Sequence, residues 1–144
     1  MSGKFVVGYD DSSPARRALD FALDKAARQG GSIVLAHVME WSPYTFLTPE
    51  ELEERHARRK QEIARAETAI MGPVKNKLAK VDVPVETIIT YGHIAEKLCE
   101  IAKQTGATQM VIGRDGNSAL VSRVFGSTAG TLVQIAPVPC TIVP

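Results

Sequence analysis

Short apolar runs alternate with longer segments of helical periodicity along the whole chain. The run over 4–9 (Lys-Phe-Val-Val-Gly-Tyr) is mostly apolar and reads as a buried strand. Asp10, Asp11, Ser12 and Ser13 then offer helix N-cap side chains, and Pro14 suits a first helical turn. Ala15, Ala18, Leu19, Ala22, Leu23 and Ala26 recur at helical spacing, with Arg16, Arg17, Asp20 and Asp24 on the other side, until Gly30 and Gly31 stop the pattern. The apolar run over 32–38 predicts a second buried strand. The segment 39–47, with Trp41, Pro43, Tyr44 and Phe46, is expected to be a covering loop.

Thr48-Pro49-Glu50-Glu51 forms a capping box with proline at the first helical position, so a helix starts there. Its stretch over 51–67 is dense in mixed charge, as expected of a solvated helix laced with i,i+4 pairs. Gly72-Pro73 is expected to interrupt or kink it before Leu78. A third strand is predicted over 83–90, entered through Pro84. Gly92-His93 then leads into a helix carrying Ile94, Leu98, Ile101 and Ala102 and closed by Gly106. The fourth strand covers 109–113, a helix follows over 127–136, Pro137 and Pro139 break it, and Cys140–Val143 is the last strand. The order β-α-β-α-β-α-β-α-β implies an α/β fold: one parallel sheet with helices on both faces, joined by right-handed crossovers. A single domain over 1–144 is expected.

Composition narrows the functional classes. The chain has 144 residues, enough for one core, with 17 Lys plus Arg against 16 Asp plus Glu and a net charge of +1. That balance argues against coating nucleic acid or an anionic membrane, so neither partner is expected. A small anion site remains open, because such sites can be built from backbone amides. No apolar run approaches the roughly 18 residues of a membrane span. No signal peptide is expected from the opening Met1-Ser2-Gly3-Lys4. Cys99 and Cys140 have no metal-ligand spacing and read as small buried hydrophobes, which places the chain in a reducing, cytoplasmic setting.

Ligands of open parallel sheets settle beyond the carboxyl ends of the strands. At the fourth such end, Gly113-Arg114-Asp115-Gly116 is followed by nine residues and then Gly126-Ser127-Thr128, a spacing of G-x2-G-x9-G-S. Glycines let the backbone turn sharply and present successive N–H groups to an anion. A helix N-terminus with two hydroxyls adds further donors. The competing reading makes Gly113 and Gly116 ordinary turn residues and Ser127 an ordinary cap. Asp10 ends the first strand, where a carboxylate suits ribose hydroxyls. Val38 ends the second, where free backbone groups suit an adenine edge.

Other constellations carry less. Paired acids such as Asp10 and Asp11 also occur in phosphoacceptor receiver domains, but Thr90-Tyr91-Gly92 stands where the acceptor aspartate would be needed. Ser12 and His37 lack a G-x-S-x-G elbow, and no G-x4-G-K-[ST] loop is present. His37 and His93 read as structural, hydrogen-bonded histidines, and Arg123 faces either phosphate or solvent. A phosphoryl-transfer enzyme adds a cationic clamp, a metal ligand and a base to its cradle, and only the cradle is evident. No catalytic set emerges.

The chain resembles the universal stress protein family over essentially its whole length. The likeness rests on residues 6–12, 35–38 and 92–95, on the G-x2-G-x9-G-S stretch, and on residues 136–143. The resemblance implies an open five-stranded parallel sheet of order 3-2-1-4-5, Rossmann-like in the manner of the adenine nucleotide alpha hydrolases. It also implies the ATP-binding subgroup, with or without Mg²⁺ or Mn²⁺. By that likeness Gly8 and Asp10 flank adenosine, the Val38 backbone reads adenine, and Gly113, Arg114, Gly116, Gly126, Ser127 and Thr128 hold the phosphates. A homodimer through Cys140–Val143 is implied as well. The implied role is a nucleotide-dependent stress-response or regulatory domain. One alternative is a slow ATPase or self-phosphorylating protein using Ser127 or Thr128. Another is a nucleotide-independent dimeric interaction module. Asp115 departs from the His or other neutral or basic residue often found there, and a carboxylate beside a triphosphate is repulsive unless it points away or reaches a cation.

Overall fold

In the computed structural model, which describes residues 3–40, 48–114 and 127–144, five strands form one sheet. They are β1 (Lys4–Gly8), β2 (Ser32–Glu40), β3 (Val85–Gly92), β4 (Gln109–Gly113) and β5 (Cys140–Val143). Their order is β3-β2-β1-β4-β5 and all neighbours are parallel, as the alternating pattern requires. The helices are α1 (Ser13–Gln29), α2 (Pro49–Ala66), α3 (Gly72–Ala79), α4 (Ile94–Thr105) and α5 (Ser127–Ile135).

Alternation along the strands builds two cores. Phe5, Val7, Ile33, Leu35 and Val111 pack with Leu19 and Leu23 of α1 and with Met71 and Val74. Val6, Val34, Ala36, Met110 and Ile112 face the other way, onto Leu98 and Ile101 of α4 and Leu132 of α5. The central strands are apolar on both sides because both sides are covered. Helix ends follow local chemistry. Ser12 Oγ accepts from Ala15 N at 3.2 Å and Thr48 Oγ1 from Glu51 N at 3.2 Å, while Gly30 and Gly106 close α1 and α4 in the left-handed conformation that glycine adopts freely.

Several boundaries differ from expectation for identifiable reasons. β1 stops at Gly8 rather than Tyr9. β2 continues to Glu40, because Met39 and Glu40 still pair with Tyr91 and Gly92 of β3. The third strand begins at Val85, not 83: Pro84 has no N–H, although its carbonyl accepts from Ile33 N at 2.9 Å. The long helix is interrupted, as expected, at Gly72-Pro73. A π-helical turn over Glu67–Met71 precedes it, a register change beside a proline that cannot donate to the preceding turn. α5 ends at Ile135, one residue early. The expected loop residues Trp41, Pro43, Tyr44 and Phe46 lie outside the described residues.

The long charged helix is solvated, as expected. Over Pro49–Ala66 only Ala66 is buried, and its inner edge meets β3 through polar groups: Tyr91 OH donates to Glu62, and Arg59 lies 5.4 Å from the Tyr91 ring centroid. At the other end Lys77 of α3 pairs with Asp20 of α1.

Leu132 is fully buried and seats α5 on the sheet. Leu132→Ala is expected to cost about 2–5 kcal/mol by chemical denaturation.

Candidate functional site

Because every strand runs the same way, the ends of β1, β2, β3 and β4 share one rim. β1 leads to α1, on the face of the first core, and β4 leads on to α5, on the face of the second. Strand order therefore reverses between β1 and β4, where the two connections part to opposite faces and leave a crevice. Gly8, Asp10 and Gly113 border that point, and the first turn of α5 places Ser127 and Thr128 after it.

The turn after β1 is tightly organised. Asp10 Oδ1 accepts from Ser12 N at 3.0 Å and from the Ser12 hydroxyl, so the carboxylate is oriented by the cap of α1. Asp11 holds φ at 61°, the left-handed region that aspartate tolerates better than most residues. Its Oδ1 accepts from Tyr9 OH at 3.1 Å and from Arg16 Nε at 3.2 Å. The Arg16 guanidinium, with help from the Tyr9 hydroxyl, keeps the Asp11 carboxyl below the ordinary carboxylate value. Burial, then Asp11, pushes the Tyr9 phenol up to about 12, so it remains a neutral donor. His37 Nδ1 lies 2.7 Å from the Tyr9 carbonyl, which matches the structural role expected of this histidine. His93 caps α4 without a side-chain bond. Sequence reasoning passed over Tyr9 and Asp11 as site-shaping residues. The available signal was an aspartate between a strand and an N-cap serine, a position where a single left-handed residue is common.

At β4 the backbone passes unusually close to α1. A Cβ on Gly113 would stand 2.7 Å from both C and Cβ of Pro14, so glycine is required there by packing as well as by any ligand. Gly8 is similarly confined, with a Cβ falling 3.1 Å from Leu98 Cδ1 and 3.2 Å from Ile112 Cγ2. Arg114 is exposed, and its N–H donates to Val143 O at 2.7 Å, carrying the pairing one residue past β4. Thr128 is half-buried in the first turn of α5. Gly116 and Gly126 lie outside the described residues, as do Asp115 and Arg123.

Val38 stands two register positions beyond the last β1–β2 pair, Gly8↔Ala36, while still paired with Thr90 on its other side. β2 thus overhangs its shorter neighbour above the crevice. The structure brings Gly8, Asp10, Val38, Gly113 and Thr128 to a single rim. Among the described residues no group of three or more His, Cys, Asp or Glu is placed to hold a metal ion, and no helix is long and apolar enough to cross a membrane. Cys99 and Cys140 are free thiols, both shifted upward by burial.

Comparison with known proteins agrees on one family. Its sequence model, described as the universal stress protein family, matches residues 1–144. Universal stress protein YxiE of Bacillus subtilis is 27% identical over 150 residues, covering 99% of each chain. Universal stress protein UspA from Lactobacillus plantarum superposes with a TM-score of 0.84 at 24% identity, over 99% of this chain and 97% of that one. A universal stress protein family member from Arabidopsis thaliana, solved with AMP bound, gives 0.62 at 20% identity over 98% and 90%.

The Asp11 network makes stability depend on pH in a definite direction. Because the folded carboxyl titrates below its ordinary value of 3.8, its contribution is complete above that value and is lost as pH falls through the lower folded one. Asp11→Asn, which keeps the left-handed backbone tolerable, is expected to flatten the acid limb of a denaturation-versus-pH series. An unchanged acid limb would remove Asp11 from the network.

Proposed function

The chain belongs to the universal stress protein family, and on that premise we propose that it is a nucleotide-dependent stress-response or regulatory domain that binds ATP at the carboxyl rim of its sheet. The observation that carries this reading is the overhang of β2 above the β1–β4 crevice. There a strand backbone paired with β3 but not with β1 shares the rim with an oriented carboxylate and the start of α5. A bound adenine nucleotide would meet matching chemistry: the Val38 backbone for the base, Gly8 and Asp10 for the adenosine, with Asp10 at the ribose hydroxyls. Gly113, Arg114, Gly116, Gly126, Ser127 and Thr128 would hold the phosphates through backbone N–H groups, one guanidinium, two hydroxyls and a helix terminus. Support also comes from the Arabidopsis family member that binds AMP. A divalent cation, Mg²⁺ or Mn²⁺, would relieve the repulsion that Asp115 brings to a triphosphate.

The same reading has the chain act as a cytoplasmic homodimer through β5. That strand is a half-exposed edge of the sheet, and α5 beside it leaves Val133 59% and Ile135 44% exposed, apolar surface of the kind a second copy covers. The two free cysteines accord with a reducing compartment.

Calorimetric titration with ATP tests the site. Saturable binding is expected within the millimolar range, with Gly116→Val abolishing it by placing a branched side chain where the backbone must approach phosphate. No saturation in that range, or unchanged affinity in the valine variant, would overturn the proposal.

A further inference from the structure

The β1–β2 ladder stops one rung before its own geometry would end it. Ser32 N donates to Gly3 O at 2.9 Å, and Tyr9 N donates to Ala36 O at 2.8 Å, so the even-numbered residues of β2 direct their polar groups toward β1. Ile33 N donates the other way, to Pro84 O at 2.9 Å, as alternation along a strand demands. Val38 therefore points its N–H toward β1, where the acceptor for the next rung is Tyr9 O. That rung is not made, and pairing ends at Gly8↔Ala36.

One of the two lone pairs of that carbonyl is already engaged from beside the strand. His37 Nδ1 lies 2.7 Å from Tyr9 O, and because a carbonyl can only accept, Nδ1 carries the proton and donates. Tyr9 is steadied from its other end by the bond from its hydroxyl to Asp11. Val38 itself is only 7% exposed. With that rung unmade, the Val38 N–H faces β1 with no ladder acceptor and is placed to donate to a ligand at the rim.

We propose that His37 is a positioning residue: by capping the Tyr9 carbonyl it ends the ladder and keeps the Val38 N–H available to an acceptor nitrogen on the edge of a purine base. This rests on the nucleotide reading above for the identity of the acceptor, whereas the capping itself belongs to the free protein. The imidazole suits the task because it donates from beside the strand, without the backbone displacement that a further rung would bring.

Amide hydrogen exchange at Val38, read by NMR on the nucleotide-free protein, separates this role from ordinary packing. The Val38 amide is expected to exchange readily in the parent protein. In His37→Leu it should become slower by about tenfold or more as it closes onto Tyr9 O, the protection of one added backbone bond. His37→Val, a residue at home in a strand, carries the same expectation and guards against misfolding of the leucine variant. His37→Asn, whose amide nitrogen can donate from nearly the place of Nδ1, should restore parental exchange. ATP affinity should fall about tenfold in the leucine variant and recover in the asparagine variant, the factor an ordinary hydrogen bond carries. Equal Val38 exchange in the parent and leucine proteins, or an asparagine variant that behaves like leucine, would overturn the proposal. A parent protein that shows the exchange pattern but binds no ATP would uphold the capping and overturn the nucleotide reading instead.

Discussion

A five-residue strand hydrogen-bonded on both sides, beside a nine-residue neighbour, leaves the end of that neighbour without a ladder partner on the β1 side. Most of what is distinctive about the rim follows from this mismatch between β1 and β2. The short strand turns early into Asp10, Asp11 and the cap of α1, while the long one continues past it to Glu40. On the other side of β1, β4 comes so close to the start of α1 that only glycine fits at position 113. The switch point at this rim is therefore a product of strand lengths and of helices leaving to opposite faces.

The electrostatics suit this origin. With 17 basic against 16 acidic side chains, the chain has no broad field for attracting a polyanion. What the rim offers instead is local and mostly neutral: backbone groups, hydroxyls, a helix terminus, and one carboxylate already oriented by Ser12. Asp11, the strained member of the turn, is compensated by Tyr9 and Arg16 rather than by a ligand, so the turn is pre-set and a ligand need not order it.

Much of this was legible from residue pattern alone. The fourth and fifth strands, Gln109–Gly113 and Cys140–Val143, follow from apolar runs bounded by glycine and proline, and sheet order follows the family likeness. Ser12 and Thr48 are caps for the reason their neighbours suggest. The errors fall where a tertiary partner decides. Tyr9 reads as strand by its apolarity, but its pairing with β2 stops at the bond from its N–H to Ala36 O, and the chain then turns through Asp10 and Asp11. Met39 and Glu40 read as loop, yet Tyr91 and Gly92 extend to meet them. Gly113 reads as a ligand-approach glycine, which is no error, but the packing against Pro14 that also requires glycine there could not be inferred from spacing. The left-handed Asp11 left only a weak trace, an aspartate at a turn. Local rules place elements, whereas the fine shape of the rim is set by contacts distant in sequence.

The most direct test of a nucleotide at this rim is NMR shift mapping of the labelled protein titrated with ATP. Concentration-dependent shifts at Gly8, Asp10, Val38, Gly113 and Thr128, with Lys4, Ser32 and Gln109 at the opposite ends of the strands unmoved, are the predicted result. Shifts centred on those amino-terminal ends or on the β3 edge, or no shifts at all at millimolar ATP, would contradict it.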